Sequence, residues 1–207
     1  DAGHHGDYAE WLDRVAGWKE MFPLGYTEPE QSSLAPQFVM QRLSALVGPE
    51  AVYVAGVGQH QMWAAQFVQY ERPNSWLNSG GLGTMGYAVP AAMGAQVGEP
   101  GRTVWAIDGD GCFQMTNQEL ATCVINNIPI KVALLNNSYL GMVRQWQEMF
   151  YEERYSEVYL QERVPDYVKW AEAMGCAAIR VEAPEEVGPA IEKANEINDR
   201  PVVVEFV

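Results

Sequence analysis

The chain reads as an α/β protein, a doubly wound, mostly parallel sheet with helices on both faces. Three observations predict it. From residue 36 onward, short apolar runs alternate with segments of helical period, about five strands with intervening helices, as a parallel sheet requires. Two of the runs, residues 103–108 and 131–135, end abruptly in polar residues, Asp-Gly-Asp-Gly in one case and Asn-Asn in the other. Buried parallel strands look like this when their carboxyl ends carry chemistry. Between them, residues 116–125 have the length of a one-helix crossover, which returns the chain to the same edge of the sheet and lets both strand ends face one crevice.

In chain order, residues 1–6 read as a loose start. Its adjacent His4 and His5 suit solvent better than a metal. Residues 7–22 space Tyr8, Trp11, Leu12, Val15, Trp18 and Phe22 at helical intervals, so a helix is expected, its tryptophans packed on the main domain. Residues 23–35 have the Gly, Pro and Ser content of a linker. The domains are therefore 1–35, a helix and linker, and 36–207, the main domain. Pro36 opens a helix whose apolar face is Phe38, Val39, Leu43, Leu46 and Val47, closed by Gly48-Pro49. Residues 51–57 form a buried strand, and a helix runs from Gly58 to about Tyr70. Gly56 and Gly58 begin a GxG, but Gln61 stands where a dinucleotide fingerprint has its third glycine.

Residues 78–86, Asn-Ser-Gly-Gly-Leu-Gly-Thr-Met-Gly, hold four glycines in nine positions before a helix over 87–97. Such a loop either lets its backbone press against a ligand or makes a plain turn. After the central pair of strands, a helix continues through Phe150. Residues 152–164 have no period and read as a surface loop. Pro165 starts a helix with Val168, Ala171 and Met174 inward, closed by Gly175. A strand over 177–181, an amphipathic helix over 184–198 and a last strand over 202–207 complete the chain.

The 27 acidic and 13 basic side chains leave a formal charge of -14. Nucleic acid and anionic membrane surfaces need the opposite sign, so neither is expected as a partner. No apolar run is long enough to span a bilayer. Cys112, Cys123 and Cys176 have no CxxC spacing, which points to a reducing compartment and away from zinc.

The motif that carries chemistry is Gly109-Asp110-Gly111 followed by Asn136-Asn137. An EF-hand reading fails: aligned on Gly111, its first ligand would be Ala106 and its last Asn117, and a strand precedes it. No GxxxxGK[ST] phosphate loop and no GxSxG nucleophile elbow exists. A carboxylate and an amide oxygen beside close-approaching glycines suit a magnesium ion holding a phosphate group.

With 26 residues between Asp110 and Asn137, the pair resembles the bipartite motif of thiamine diphosphate enzymes. Residues 58–65 (Gly-Gln-His-Gln-Met-Trp-Ala-Ala), the 78–86 glycine cluster and residues 140–147 (Leu-Gly-Met-Val-Arg-Gln-Trp-Gln) narrow this. Together they look like the large catalytic subunit of the acetohydroxyacid synthase (acetolactate synthase) family, specifically its carboxyl-terminal cofactor-binding third, from about residue 34 to the end. The resemblance implies that Asp110, Asn137 and the Tyr139 carbonyl ligate Mg2+, with Gln59 and His60 near the diphosphate. It gives Gly83 and Met85 the catalytic positioning: the Gly83 carbonyl accepts from the cofactor's 4′-amino group and Met85 wedges between its rings. Gly111, Cys112, Leu140, Gly141 and Met142 complete the cofactor-binding set. Met142, Val143 and Trp146 line the acceptor pocket, although helical spacing alone would place Met142 and Trp146 in a core. Cys112 stands where a small residue is usual, packed near the diphosphate without a redox role.

The implied activity is decarboxylation of pyruvate and condensation of the hydroxyethyl unit with pyruvate or 2-ketobutyrate, in branched-chain amino acid biosynthesis. The family's activating glutamate lies on a pyrimidine-binding domain, usually of a neighbouring subunit, and its FAD is bound mainly on a middle domain. Neither is in these 207 residues. The expectations are thus a homodimer or tetramer, a regulatory small subunit as a further partner, a cytoplasmic or plastid setting, and a chain that binds Mg2+ and thiamine diphosphate weakly by itself without turnover. Two alternatives stand beside this: another carboligase or oxidase of the same cofactor class (glyoxylate carboligase, pyruvate oxidase), and a non-catalytic module that completes a partner.

Overall fold

The computed structural model describes residues 6–27, 33–162 and 165–207. His4, His5, Pro29 and the end of the 152–164 segment lie outside the described residues. The elements are α1 (Ala9–Met21), α2 (Pro36–Val47), β1 (Val52–Ala55), α3 (Gln59–Phe67), β2 (Trp76–Asn78), α4 (Ala88–Gly98), β3 (Val104–Gly109), α5 (Asp110–Thr116), α6 (Glu119–Ile125), β4 (Lys131–Leu135), α7 (Gly141–Phe150), α8 (Tyr167–Ala173), β5 (Ala177–Val181), α9 (Pro184–Glu196) and β6 (Val202–Phe206).

The strands form one sheet in the order β2-β1-β3-β4-β6-β5, every pairing parallel. Alternate residues feed two cores. Tyr53, Trp105, Ile107, Ala133, Leu135 and Val204 face one layer, where α2, α3 and α9 contribute Met40, Leu43, Ala64 and Ile191. Val54, Ala106, Val132, Leu134 and Val203 face the other, closed by Ala92 of α4, Phe113 of α5, Leu120 of α6 and Ala171 of α8. Burial on both faces explains why the central strands are continuous apolar runs rather than alternating ones. Trp105 is fully buried and donates its indole N–H to Asn195 Oδ1 at 3.0 Å, tying β3 to α9.

Several elements differ from the sequence reading. There are six strands among the described residues. The extra one, β2, is a three-residue edge strand beside β1, too short and too exposed to show a period. The 116–125 crossover is two helices. The first begins at Asp110, directly off the strand end, and the path tightens at Asn117 and Gln118 into i→i+3 bonds, Leu120 N–H to Asn117 O and Ala121 N–H to Gln118 O. The helix expected at Pro165 starts at Tyr167, because Asp166 caps it by accepting from Lys169 N–H at 3.2 Å. The largest difference is α1. It forms, but buries no residue: Trp11 and Trp18 stay 53 % and 44 % exposed and meet each other edge to face at 5.6 Å.

Candidate functional site

The strand order reverses around β1. Helix α3 leads from β1 to the edge strand β2 on one face of the sheet, and α5 and α6 lead from β3 to β4, the opposite way, on the other face. Loops leaving β1 and β3 therefore part in opposite directions and open a crevice over the carboxyl ends, the position where open parallel sheets bind ligands. A cleft of about 350 Å³ lies there. It is lined by Gln59, His60, Gly83, Met85, Asp110, Gly111, Cys112, Asn137, Tyr139, Leu140, Gly141, Met142 and Val143. Every site residue read from the sequence is in that lining except one. Trp146 is a helical turn beyond Met142 on exposed α7. Its ring is 57 % exposed and packs on Phe150 at 5.1 Å, so it neither joins a core nor lines the cleft. The core alternative for Met142 fails equally, since α7 has no buried residue.

Asp110 opens α5 and is 3 % exposed. Its Oδ1 accepts the Gly111 N–H at 2.9 Å, and the carboxylate also faces the Ser138 N–H. Its Oδ2 is buried without a hydrogen-bond partner. Burial raises this carboxyl from 3.8 to about 6. A buried carboxylate oxygen with no donor is costly unless something cationic neutralises it.

The turn after β4 supplies the rest. Ser138 adopts a left-handed φ of 61°, its N–H donating to Asn136 Oδ1 at 3.2 Å, while Tyr139 N–H donates to Asn137 Oδ1 at 3.0 Å. The segment read as an unpatterned loop folds back onto this turn. Leu140 N–H donates to Val158 O and Leu160 N–H to Ser138 O, both at 2.8 Å. Tyr139 and Tyr159 are opposed in this antiparallel bridge, whose bonds come from their neighbours, so the Tyr139 carbonyl is not consumed by it. Asp110, Asn137 and Tyr139 thus border one cleft, and the hard oxygens they carry are a donor set that fits Mg2+.

The glycine cluster is a loop closed on itself that brings Gly83 and Met85 to the cleft. Gly83 N–H donates to Ser79 O and Thr84 N–H to Ser79 Oγ, both at 3.0 Å. Gly83 has φ of +66° and Gly86 of +87°, values that a side chain opposes. Thr116 Oγ1 donates to Gly86 O at 2.8 Å and locks this loop to α5. Gln59 reaches from the first turn of α3 to Gln145 Oε1 on α7 at 3.1 Å. Among the described residues no lysine or arginine lines the cleft. A bound diphosphate would need the metal and backbone N–H groups for neutralisation.

A second cluster lies beneath. His60 Nε2 stands 3.6 Å from Asp108 Oδ1, and both belong with Cys112 to a buried trio whose donor atoms lie within 4.8 Å of one another. Burial lowers His60 to about 3 and raises Asp108. The Cys112 thiol donates to Val57 O at 2.9 Å, and burial pushes it up to about 12. For a hard ion such as Mg2+, an imidazole and a thiol are poorer ligands than the oxygen set above them. The sequence reading passed over Asp108, Tyr167 and the bridge formed by residues 158–160. Tyr167 is buried in α8, accepts from Gln114 Nε2 at 2.7 Å and donates to Asp110 O at 3.4 Å. Asp108 had one visible signal, a carboxylate at the end of an apolar strand.

Residues 56–206 match the family described as thiamine pyrophosphate enzyme, C-terminal TPP binding domain. Over 204 residues the chain is 63 % identical to the acetolactate synthase large subunit of Corynebacterium glutamicum, covering 97 % of this chain and 33 % of that protein. It is 58 % identical to acetolactate synthase of Mycobacterium leprae with the same coverages. Over 193 residues it is 47 % identical to acetolactate synthase 1, chloroplastic, of Zea mays, covering 90 % of this chain and 30 % of that protein. The chain spans about a third of the length of the curated relatives it matches.

Proposed function

We propose that this chain, which belongs to the family of thiamine pyrophosphate enzyme C-terminal TPP-binding domains, is the domain that holds Mg2+ and the cofactor diphosphate in an acetolactate synthase large subunit. The observation that carries this reading is the buried, unpartnered Asp110 Oδ2 in a cleft shared with Asn137 and Tyr139. These three would hold the metal. Backbone N–H groups and Gln59 and His60 would face the diphosphate, and the Gly83 carbonyl and Met85 would orient the cofactor's head. Leu140, Gly141, Met142 and Val143 line the same cleft.

Thiamine diphosphate, when bound, supplies an acidic carbon that adds to a 2-keto acid and an electron sink for its decarboxylation. The chain's own part is placement. The whole protein would decarboxylate pyruvate and join the two-carbon unit to pyruvate or 2-ketobutyrate. This rests on the names of relatives about three times as long as the chain. FAD, the activating glutamate, a neighbouring subunit's pyrimidine-binding domain in a homodimer or tetramer, and a regulatory small subunit would all lie outside these 207 residues. A cytoplasmic or plastid setting accords with such relatives and with three free buried cysteines. No described helix is long and apolar enough to cross a membrane.

The test is titration of thiamine diphosphate into the full-length gene product with Mg2+ and with chelator, followed by an acetolactate assay with pyruvate. Saturable binding that needs Mg2+, and product formation lost in Asp110→Ala, are expected. Equal binding in chelator, or full activity in the variant, would refute the reading.

A further inference from the structure

Glu205 is a carboxylate in a strand whose other members are apolar. It lies in β6, 2 % exposed, opposite Leu134 of β4 and Arg180 of β5. A Val or Leu would satisfy the sheet there. Its two oxygens are instead divided between two donors: Oε1 accepts from Asn136 Nδ2 and Oε2 from Arg180 Nε, both at 2.8 Å. Arg180 continues to Asp166 Oδ1 at 2.9 Å, the carboxylate that caps α8.

The consequence falls on the turn after β4. An ionised carboxylate only accepts, so it dictates which way the Asn136 amide lies. With its NH2 turned down onto Glu205, Asn136 has only its oxygen for the Ser138 N–H, the bond that accompanies the left-handed φ at Ser138. Asn136 N–H meanwhile donates to Phe206 O at 2.9 Å, so the start of the turn is clamped to β6 by backbone and side chain together. Asn137 and Tyr139 then stand on either side of Ser138 and border the cleft.

We propose that Glu205 is a positioning residue for the metal: through Asn136 it sets the turn that presents Asn137 and Tyr139 to Mg2+. This rests on the reading that Asp110, Asn137 and Tyr139 hold that ion. Groups that orient ligands from behind typically change metal affinity 10–100-fold when altered.

The test exploits the polarity of the bond. Glu205→Gln sets an NH2 against either the Asn136 NH2 or the Arg180 N–H, and Asn136→Asp sets one carboxylate against another. The double variant, carrying both substitutions, exchanges donor and acceptor. The amide introduced on β6 would donate to the carboxylate introduced in the turn and still accept from Arg180, and that carboxylate would still accept from the Ser138 N–H. Mg2+ affinity is read by tryptophan fluorescence in the full-length gene product at saturating thiamine diphosphate, with metal-free melting as a fold control. Each single variant is expected to weaken Mg2+ about tenfold or more, and the double variant to recover. Folded single variants with wild-type Mg2+ affinity, or a folded double variant that fails to recover, would overturn the proposal. Should a single variant not fold, the double variant decides alone. If Asp110→Ala leaves Mg2+ affinity unchanged, the metal reading itself falls, a result separate from either outcome at Glu205.

Discussion

Replacing Asp110 by Asn should stabilise the metal-free protein while abolishing its metal site. The carboxylate is 3 % exposed, one oxygen engaged by Gly111 N–H and the other without a partner. Burial lifts its pKa from 3.8 to about 6 in the folded chain. The folded value lies above the unfolded one, so the group does not penalise folding below about pH 4, where both states are protonated. The penalty grows as pH rises from about 4 to 6 and is complete above that. A shift of roughly two units corresponds to about 3 kcal/mol. Asn is neutral throughout and its Oδ1 can still accept from Gly111, but its NH2 faces the Ser138 N–H, so the gain is at most about 3 kcal/mol. For a domain of this size that is up to roughly 6–12 °C in Tm. The assay is thermal or urea unfolding in chelator at pH 8 and pH 4, then again with Mg2+ and thiamine diphosphate. Asp110→Asn is expected to be the more stable protein at pH 8 in chelator, to lose that advantage at pH 4, and to gain nothing from the ligands. Ligand at a hundredfold excess over its Kd should raise the wild type by about 2.7 kcal/mol. A variant less stable than wild type at pH 8 in chelator would refute the reasoning.

Three further perturbations probe the frame. Lys131 is buried at the start of β4, donating to Pro129 O and Asn198 Oδ1 at 2.9 Å, and burial lowers it to about 8. Between that value and 10.5 the unfolded chain holds a proton the folded chain has shed, so this residue makes stability rise with pH. The stability of wild type relative to Lys131→Met should increase from pH 7.5 to pH 10 in chemical denaturation, and a flat difference would contradict it. Gly86→Ala places a Cβ 3.0 Å from Met115 Cβ and Thr116 Cγ2 at φ +87°. Left-handed strain of about 1–2 kcal/mol plus overpacking of about 1–3 predicts a loss of about 2–5 kcal/mol in thermal unfolding, and an unchanged Tm would count against the loop geometry. Gly141→Ala drives a Cβ into Gln59 Oε1 and to 3.1 Å from Asn137 Nδ2. Titration should show cofactor binding in Mg2+ weakened about tenfold, and wild-type affinity would show that Asn137 is not held there.

What could be read from the sequence was what is encoded locally. Pro36 and Gly48 bracket α2 as expected, and the runs before Asp108 and Asn136 are buried parallel neighbours whose ends share the cleft. What escaped depends on distant partners. The tryptophans of α1 have helical spacing but no surface to cover in the described residues, and spacing cannot say so. Trp146 repeats the lesson, since its period fits both a core and a pocket, yet only the first turn of α7 lines the cleft and Trp146 lies beyond it. The 158–160 segment pairs with the Asn137 turn some twenty residues earlier in irregular backbone, without alternation to announce it. Glu205 and Asn136, 69 positions apart, meet only because β6 is laid beside β4. Conversely, the glycines and the Asp110–Asn137 pair were legible because positive φ at Gly83 and Gly86 selects glycine, and because the polar pair follows directly on two buried parallel strands whose ends share the cleft.

The most direct test of the central claim is a crystal structure of the full-length gene product with Mn2+ in place of Mg2+ and with thiamine diphosphate, located by Mn2+ anomalous scattering. The account predicts one strong peak bonded to Asp110 Oδ2, Asn137 Oδ1 and Tyr139 O, with diphosphate oxygens completing the shell. A peak seated among His60, Asp108 and Cys112, or a diphosphate bound in the cleft with no metal at Asp110, would contradict it.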